Sequence, residues 1–431
     1  MDAARQAELL ADAGHYLAGG GTGLFVLPPE LNLVVARGEG SRVWDFAGRE
    51  YLDYHLSSGP ALLGHAHPAV TAAVAEQLPK GTTYFFLNEP EIRLGKRLVE
   101  AIPCADVVHY TGSGTEATFY ALRVARAYTK REKVLKFEGA WHGMHDYNLW
   151  GTVPGKASDY PHSPVDSVGV PAVTGDMVLV TPFNDIAGAV AMIERHAHEL
   201  AAVIVEPLQR VLTPEPGFLE AIREVTKRLG IVLIFDEIVT GFRIAWGGAQ
   251  ERYGVIPDLA CYGKAVSGGF PLAVLAGDAE IMSVLDARSR PKSEVVWATN
   301  TLNGNPICAA AGCAALDVLS QPGIFEHLHH IGSRLRKGIV ESGARHGFAV
   351  QTPGEDAVFG VRFTDRPLRN WIDLTQVDKD LGWRWSMELL KRGLLVNPNE
   401  KFYISIQHSD ADIDHTLTVV DDAFAAVKRG A

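Results

Sequence analysis

Residues 107–117 read VVHYTGSGTEA, and this stretch decides the class of fold. A short apolar run leads into glycines and small hydroxyl residues that open a helix, as where a buried parallel strand meets the N-terminus of a covering helix. Further apolar runs lie at 134–137, 177–180, 202–205, 231–235 and 259–262. The intervening stretches with helical periodicity are 115–128, 185–198 and 217–229. This alternation predicts an α/β fold with a mostly parallel central sheet.

The C-terminal part of the sequence changes character. Its long helical patterns lie at 305–345, 373–392 and 410–429, and its short strand-like pieces at 347–350, 358–363 and 402–406. This grouping predicts a smaller α+β domain. Before it, the segment 150–176 is rich in Gly, Pro, Ser and Asp without periodicity. Long loops of this kind are often functional, so we treat this segment as a hypothetical catalytic lid.

Composition excludes several classes of protein and partner. The 431 residues include 40 Lys and Arg against 51 Asp and Glu, and the net charge of −11 argues against a nucleic-acid partner. No apolar stretch has the length of a membrane span, and no signal peptide is visible. The four cysteines are scattered without a C-x-x-C pair, which is typical of a reducing compartment. We therefore expect a cytoplasmic chain without membrane contact.

The residues after the first strand favour an anion site. Ser113, Gly114 and Thr115 stand at a predicted helix N-terminus, where free N–H groups and the helix dipole bind phosphate. An ordinary capped turn uses the same residue types. The glycine spacing of the turn, with Glu138 after the next strand, also fits an enzyme that binds a nicotinamide dinucleotide. The turn alone leaves all three interpretations open.

The second strand ends beside an aromatic residue and two histidines. Trp141, flanked by small residues, either packs into the core or covers the face of a flat ligand. His142, His145 and Asp146 would suit a metal ion, but the stretch offers no third strong ligand. We therefore predict no metal site.

Asp236 and Lys264 follow two further strands. A carboxylate at the end of a buried strand is costly unless it faces a cation, a metal or a protonated ring. A lysine among small apolar residues becomes a nucleophilic amine when burial lowers its pKa, although a surface lysine is the alternative. A phosphate cradle, a ring face, a carboxylate and a lysine together are what pyridoxal phosphate requires. The dinucleotide interpretation explains neither Asp236 nor Lys264.

The sequence resembles the class III aminotransferases of the fold-type I pyridoxal-phosphate enzymes, and within them the subgroup around glutamate-1-semialdehyde aminomutase. The likeness runs from about residue 33 to 425. The stretches that carry it are GPALLGHAHP (59–68), TGSGTEA (111–117), KFEGAWHG (136–143), FDEIVTGFRIAWGG (235–248) and TLNGNP (301–306). The resemblance implies a large cofactor-binding domain at 58–312. It also implies a small domain formed by the N-terminal segment 1–57 together with the C-terminal part 313–431.

The resemblance further implies the residues of the cofactor site. Lys264 would form the internal aldimine with pyridoxal 5′-phosphate and then move the proton during transfer. Asp236 would pair with the pyridinium nitrogen, and Trp141 and Ile238 would sandwich the ring.

Other implied roles concern the phosphate and the surroundings of the ring. Ser113, Gly114 and Thr115 would hold the phosphate, while Glu206 would support the site near the cofactor. Thr301 matches a position whose hydroxyl reaches the phosphate of the neighbouring subunit, which implies a homodimer with two shared sites.

Two departures from the aminomutase pattern bear on the substrate. The aminomutases carry an N-S-P-V-R-like element whose Arg binds the substrate carboxylate, whereas residues 21–25 here contain no Arg. Three consecutive aromatic residues also occupy the expected entrance region. Both features favour an apolar or aromatic substrate. The candidate substrate residues are Phe25, Tyr84, Phe85, Phe86, Arg210 as a replacement carboxylate-binding residue or a solvent-facing one, and Glu400, which the aminomutases share.

Three functions follow as hypotheses. The sequence favours a transaminase that moves an amino group from an amine or amino acid to a keto acid or aldehyde through Lys264. The alternative is an intramolecular aminomutase of the glutamate-1-semialdehyde type. The third hypothesis is a nicotinamide-dependent dehydrogenase.

Overall fold

The apolar runs of the sequence form the strands of a central sheet in the computed structural model, which describes residues 3–21, 27–28 and 31–430. The strands of the described chain are β1 (Val35–Glu39), β2 (Arg42–Asp45), β3 (Glu50–Asp53), β4 (Val107–Thr111), β5 (Lys133–Phe137), β6 (Val178–Thr181), β7 (Leu200–Val205), β8 (Val232–Glu237), β9 (Leu259–Tyr262), β10 (Ala273–Gly277), β11 (Val350–Gln351), β12 (Gly354–Glu355), β13 (Val358–Gly360), β14 (Arg362–Phe363), β15 (Leu394–Leu395) and β16 (Lys401–Tyr403).

The helices cover the sheet and build the rest of the molecule. They are α1 (Ala3–Tyr16), α2 (Pro68–Gln77), α3 (Glu89–Ala101), α4 (Gly114–Thr129), α5 (Ile186–Arg195), α6 (Phe218–Leu229), α7 (Gly248–Tyr253), α8 (Ala279–Met282), α9 (Pro306–Leu319), α10 (Ile324–His346), α11 (Trp371–Thr375), α12 (Lys379–Lys391) and α13 (Asp410–Arg429).

The central sheet has seven strands in the order β4-β10-β9-β8-β7-β5-β6. Strands β9, β8, β7, β5 and β6 run parallel to one another, whereas β10 runs antiparallel to both β4 and β9. Every residue of β7 and β8 is buried, because helices cover both faces of the sheet. The predicted α/β class with a mostly parallel sheet is confirmed, and β10 is a strand that sequence analysis missed.

The N-terminal strands belong to the same sheet as part of the C-terminal region. Strand β15 pairs in parallel with β3, so that Leu394 lies beside Leu52 and Leu395 beside Asp53. The predicted long helix at 305–345 is two helices, α9 and α10, separated at Gly323, whose φ of +86° is the left-handed conformation. The predicted strand at 347–350 begins only at its last residue, Val350.

The C-terminal helices pack around a buried aromatic cluster. Trp385 of α12 is 1% exposed, and its ring lies 5.9 Å from Phe363, 6.1 Å from Phe402 and 5.4 Å from Phe424, measured between ring centroids. Burial of such large rings makes a strong contribution to a small domain. This cluster is the core behind strand β16, which reaches the site described below.

A buried arginine joins the two parts of the molecule. Arg243, in the segment after β8, is 0% exposed, and its guanidinium donates to the carbonyl oxygens of Gly59, Val239 and Ile404. Gly59 ends a turn near the N-terminus, Val239 follows β8 of the central sheet, and Ile404 follows β16. The guanidinium therefore ties together three stretches that are distant in sequence, and it has no carboxylate partner among the described residues.

No single helix of the described residues is long and apolar enough to cross a bilayer. Only α9 and α10 taken together, which are bent by 76° relative to each other, pass a test of length and composition.

One close approach inside the small domain makes a prediction about stability. A Cβ atom on Gly332 of α10 would lie 1.8 Å from the backbone oxygen of Asp356. Gly332→Ala should therefore lower the free energy of unfolding by about 2 kcal/mol or more, since the overlap is with backbone that must move. Gly14→Ala is the matched control, because a Cβ there meets no atom within 4 Å. The control should raise stability by about 0.5–1 kcal/mol in an exposed helix. Urea unfolding followed by fluorescence measures both, and equal effects of the two substitutions would contradict the packing.

Candidate active site

The residues singled out at the strand ends meet at a cavity of about 450 Å³ between the central sheet and the C-terminal part of the chain. The residues that line it are Ser58, Ser113, Gly114, Thr115, Thr118, Trp141, His142, Gly143, Glu206, Leu208, Arg210, Asp236, Ile238, Val239, Thr240, Lys264, Asn397, Glu400, Lys401 and Tyr403. A larger cavity of about 590 Å³ lies between α2, α3 and α9. The smaller one is the candidate active site, because it alone of the two contains the carboxylate, the lysine and the helix N-terminus.

Helix α4 supplies a phosphate cradle. Ser113 is its N-cap, and the side-chain oxygen accepts a hydrogen bond of 3.3 Å from the backbone N–H of Glu116. Gly114 and Thr115 begin the helix, where backbone N–H groups are free to bind an anion. A Cβ on Gly114 would lie 2.9 Å from Cδ1 of Ile238, so glycine is needed for Ile238 to reach the cavity. The turn therefore combines a free helix N-terminus with space for a group in front of it.

Asp236 lies at the carboxyl end of β8, on the floor of the cavity. Its Oδ1 accepts a hydrogen bond of 3.1 Å from the N–H of Ile238, and its Oδ2 lies 2.8 Å from Nδ1 of His142. Burial raises the pKa of Asp236 to about 7, and burial lowers the pKa of His142 to about 3. The pair is thus uncharged between about pH 3 and 7 and negative above this range. A cationic ring nitrogen facing Asp236 would stabilise the carboxylate and lower its pKa, which is the partner that this buried group requires.

His142 orients that carboxylate. Its ring is 1% exposed, and Nε2 has no hydrogen-bond partner within the described parts of the chain. The contact of Nδ1 with Oδ2 of Asp236 supplies the geometry for this orienting role. We find no group of three or more metal-binding side chains near His142 or elsewhere among residues 3–21, 27–28 and 31–430.

Lys264 follows β9 at the start of a short 3-10 turn, Lys264–Ser267. Its φ of +50° is the left-handed conformation, which is unusual for a residue with a side chain. Burial lowers the pKa of the Lys264 amine, and the positive charges of Lys401 and Arg243 act in the same direction. An amine with a lowered pKa is a better nucleophile at neutral pH.

Trp141 and Ile238 lie on the cavity wall, where a flat ring could be held between them. Trp141 is fixed through its backbone, because its N–H donates to Oε1 of Glu206. The other oxygen of Glu206 accepts a hydrogen bond of 3.1 Å from the N–H of Arg210. The buried Glu206 carboxylate therefore sets the positions of both neighbours of the ring site.

Arg210 lies beside the cavity between two indole rings. Its guanidinium carbon is 5.2 Å from the ring centroid of Trp141 and 5.2 Å from that of Trp371. Nε donates to the Gly139 carbonyl at 2.7 Å and Nη2 to the Thr152 carbonyl at 3.1 Å. The solvent-facing alternative for Arg210 is thus wrong. Its guanidinium is already committed to two carbonyls, which weakens the prediction that it binds a substrate carboxylate.

The other predicted substrate residues are dispersed. Glu400 lines the cavity. Phe25 lies outside the described residues. Phe85 and Phe86 are 75% and 82% exposed, and Tyr84 lines the larger cavity between α2, α3 and α9. These three aromatic residues therefore do not line the active-site cavity of their own chain.

Thr301 also lies outside the cavity of its own chain and is exposed. Its neighbour Asn300 donates to Oε1 of Glu116 at 2.7 Å, which ties this segment to the first turn of α4. The predicted contact of Thr301 with a second subunit stays a prediction.

Lys401 and Tyr403 reach the cavity from strand β16, and neither was predicted to be a site residue from the sequence. Alternate residues of a strand share a face, so Lys401 and Tyr403 point to the same side while Phe402 packs into the aromatic core. The signal was available in the predicted strand 402–406, but this strand was started one residue too late.

The segment 150–176, the hypothetical lid, is hydrogen-bonded to residues at the end of β5 over its first half. Glu138, at the end of β5, accepts hydrogen bonds of 2.7 Å from the N–H of Ser158 and 2.6 Å from the hydroxyl of Tyr160. The buried Lys136 donates to the Asn148 carbonyl at 2.7 Å and to Oγ1 of Thr152 at 2.9 Å. These hydrogen bonds anchor Thr152, Ser158 and Tyr160 to the chain at β5 and argue against a lid over this part of the segment.

The chain is similar to known proteins along nearly its whole length. The family model described as aminotransferase class-III matches residues 27–423. Glutamate-1-semialdehyde 2,1-aminomutase from Desulforudis audaxviator is 40% identical over 429 residues, covering 97% of this chain and 97% of that protein. An ω-transaminase from Sphaerobacter thermophilus superposes with a TM-score of 0.93 at 34% identity, covering 98% of this chain and 97% of that one. A transaminase with PLP bound superposes with a TM-score of 0.91 at 26% identity, covering 100% and 99% of the two chains.

The opposed pKa shifts of Asp236 and His142 predict opposite pH effects in two variants of the cofactor-free protein. Folding raises the pKa of Asp236 from 3.8 to about 7, so the ionised carboxyl costs stability as the pH rises through this range. Folding lowers the pKa of His142 from 6.5 to about 3, so the neutral ring costs stability as the pH falls through that range. From about pH 4.5 to about pH 7, Asp236→Asn should therefore gain stability relative to the wild type, and His142→Gln should lose it.

Urea unfolding of the three cofactor-free proteins at both pH values measures these differences. If the two variants shift in the same direction relative to the wild type, the two groups do not titrate as the buried pair requires.

Proposed function

Because the chain belongs to the class III aminotransferases, enzymes that use pyridoxal 5′-phosphate, we propose that it is an aminomutase. It moves an amino group from one carbon to another within one small substrate that bears a carboxylate, which is the reaction that the name glutamate-1-semialdehyde 2,1-aminomutase describes. The observation that carries the proposal is a free lysine amine and a buried carboxylate in one cavity with a helix N-terminus. The named relatives favour this aminomutase function over the transaminase that the sequence alone favoured.

The residues of the cavity fit the cofactor. We assign the phosphate to the N-terminus of α4, where Gly114 leaves room and Ser113 and Thr115 carry hydroxyls. Asp236 suits a protonated ring nitrogen, because burial makes an unpaired negative charge costly there. When bound, the cofactor supplies an electron-accepting ring that stabilises negative charge developing on the substrate carbon.

The protein's own groups then perform the remaining work. The Lys264 amine takes a proton from one substrate carbon and returns it to another position, since its lowered pKa leaves it uncharged more readily than an ordinary lysine. Trp141 and Ile238 hold the ring plane and exclude water from both faces. Glu206 fixes Trp141 through the backbone and so acts on the ring only through its neighbour.

Transfer between two molecules is the second candidate. The similarity to the Sphaerobacter thermophilus ω-transaminase extends over 98% of the chain. The exposed aromatic residues 84–86 offer apolar surface that a second subunit could bring to a shared site. In this interpretation an external amine donates, and a keto acid or aldehyde accepts.

We also propose a cytoplasmic homodimer with shared sites, in which Thr301 of one subunit reaches the phosphate bound by the other. The exposed position of Thr301, tied through Asn300 to the first turn of α4, supports this arrangement. The domain boundaries at 57 and 312 belong to the same proposal and are supported by the pairing of β3 with β15.

The two candidate functions differ in their need for a second reactant. The purified holoenzyme is incubated with glutamate-1-semialdehyde alone, and the isomer with the amino group on C1 is separated from the substrate by chromatography and quantified, because the two compounds have the same mass. Formation of this isomer without an added keto acid supports the aminomutase. Amino transfer that requires both an amine such as L-alanine and an added keto acid contradicts it and establishes the second candidate.

Lys264 makes a prediction common to both candidates. Lys264→Ala should lower the rate of amino transfer at least about a thousandfold, because the nucleophilic amine and the proton-transfer group are the same residue. The exposed Lys227 of α6 provides the control, and Lys227→Ala should keep the wild-type rate. Wild-type turnover by Lys264→Ala would eliminate the proposed chemistry.

A further inference from the structure

Strand β16 places a second lysine in the active-site cavity. The antiparallel pairing of Lys401 with Gly360 fixes the register of the strand, and the burial of Phe402 on one face directs Lys401 and Tyr403 to the other. Both residues line the cavity together with Lys264. Lys401 thus approaches the site from the small domain, whereas Lys264 and Asp236 approach it from the central sheet.

Three other charged groups of the cavity, Glu206, Asp236 and Arg210, are already engaged. The Glu206 carboxylate accepts two backbone N–H groups, the Asp236 carboxylate contacts His142 and a backbone N–H, and the Arg210 guanidinium donates to two carbonyls. Glu400 precedes Lys401 in the chain, but their side chains form no ion pair. Across the described residues, the Lys401 amine has neither a salt bridge nor a side-chain hydrogen bond.

Lys401 lines the same cavity as Lys264, Asp236 and Tyr403, and its positive charge acts on the pKa of all three. Burial lowers the pKa of Lys264, and Lys401 adds to this effect. Burial raises the pKa of Asp236, and Lys401 opposes it. Burial alone would raise the pKa of Tyr403, but Lys264, Lys401 and Arg243 together lower it. A half-buried cation without a partner next to the reactive amine is a site for an anionic group of the ligand.

We propose that the Lys401 amine binds the carboxylate of the substrate and selects amino compounds that carry one. This inference rests on the proposed function and deepens it, because it names the group that distinguishes the substrate from a simple amine. A charge-assisted hydrogen bond in a partly desolvated cavity is strong enough for such selection. Lys401 therefore takes the place that sequence analysis sought for an arginine at 21–25 or at Arg210.

The test is the binding of glutarate, a five-carbon dicarboxylate, to the holoenzyme by titration calorimetry. Lys401→Met keeps most of the length of the side chain and removes the charge, and it should weaken glutarate binding tenfold to a hundredfold, in the range expected for a lost hydrogen bond between charged groups (about 1.5–3 kcal/mol). Lys401→Arg should stay within about threefold of the wild type, since it keeps a cationic donor. Lys227→Met, on the outer surface of the large domain, should not change the affinity.

Two further measurements separate this role from others. Cofactor affinity, measured by titrating pyridoxal phosphate into the cofactor-free proteins, should change much less in Lys401→Met than glutarate affinity does, because the charge of Lys401 acts on Lys264 and Asp236 only at a distance. A loss of cofactor affinity as large as the loss of glutarate affinity would overturn the proposal in favour of a cofactor-binding lysine. Equal glutarate affinity of Lys401→Met and the wild type would overturn it, and so would failure of the wild type to bind glutarate. None of these binding measurements needs turnover, so an enzyme that fails to isomerise glutamate-1-semialdehyde refutes only the proposed function.

Discussion

The buried guanidinium of Arg243 is the contact on which the active-site cavity depends. A charge without a carboxylate partner is costly in the interior, and burial lowers the pKa of Arg243 to about 10. The cost is offset by hydrogen bonds to carbonyls of three separate stretches and by the ring of Tyr403, whose centroid lies 5.1 Å from the guanidinium carbon. One of these carbonyls belongs to Gly59, which ends a turn in which residues 56–58 all have positive φ. That strained turn brings Ser58 to the cavity, so loss of the guanidinium would release two walls of the site at once.

Asp236, on the floor of the cavity, is also a buried ionisable group, but its charge is negative when it ionises. Asp236 is buried beside His142, and burial keeps both groups uncharged between about pH 3 and 7. The buried Glu206 uses a different solution, because two backbone N–H groups satisfy it directly. At the cavity, Glu206 thus has its hydrogen-bond partners within the described chain, whereas Asp236 is suited to a further, cationic partner. This difference supports the proposed roles, in which Glu206 holds its neighbours in place and Asp236 meets the cofactor.

The central sheet and the site residues at its edge were predictable because short stretches of sequence are enough to indicate them. Each buried strand is a short apolar run, and Ser113, Asp236 and Lys264 follow such runs directly, so their convergence at one sheet edge follows from the parallel topology. Strand β10 was missed because it returns antiparallel between β4 and β9, which no local pattern requires. The break between α9 and α10 was missed although Gly323 marks it. Lys401 escaped notice because its place in the cavity depends on packing between distant segments, through the aromatic core and Arg243.

Residues from two different sheets line the cavity, and we propose a different role for each set. The groups assigned to the cofactor are fixed by the central sheet and its helices, while Lys401 and Tyr403 stand on a short strand of a different sheet. Under the proposed role of Lys401, a substitution there would alter what the enzyme accepts while Lys264, Asp236 and the N-terminus of α4 stay in place. Such an arrangement lets substrate preference change by single steps during evolution, since each intermediate protein keeps a working catalytic centre. The same fold can therefore supply related enzymes for different metabolites from one inherited reaction.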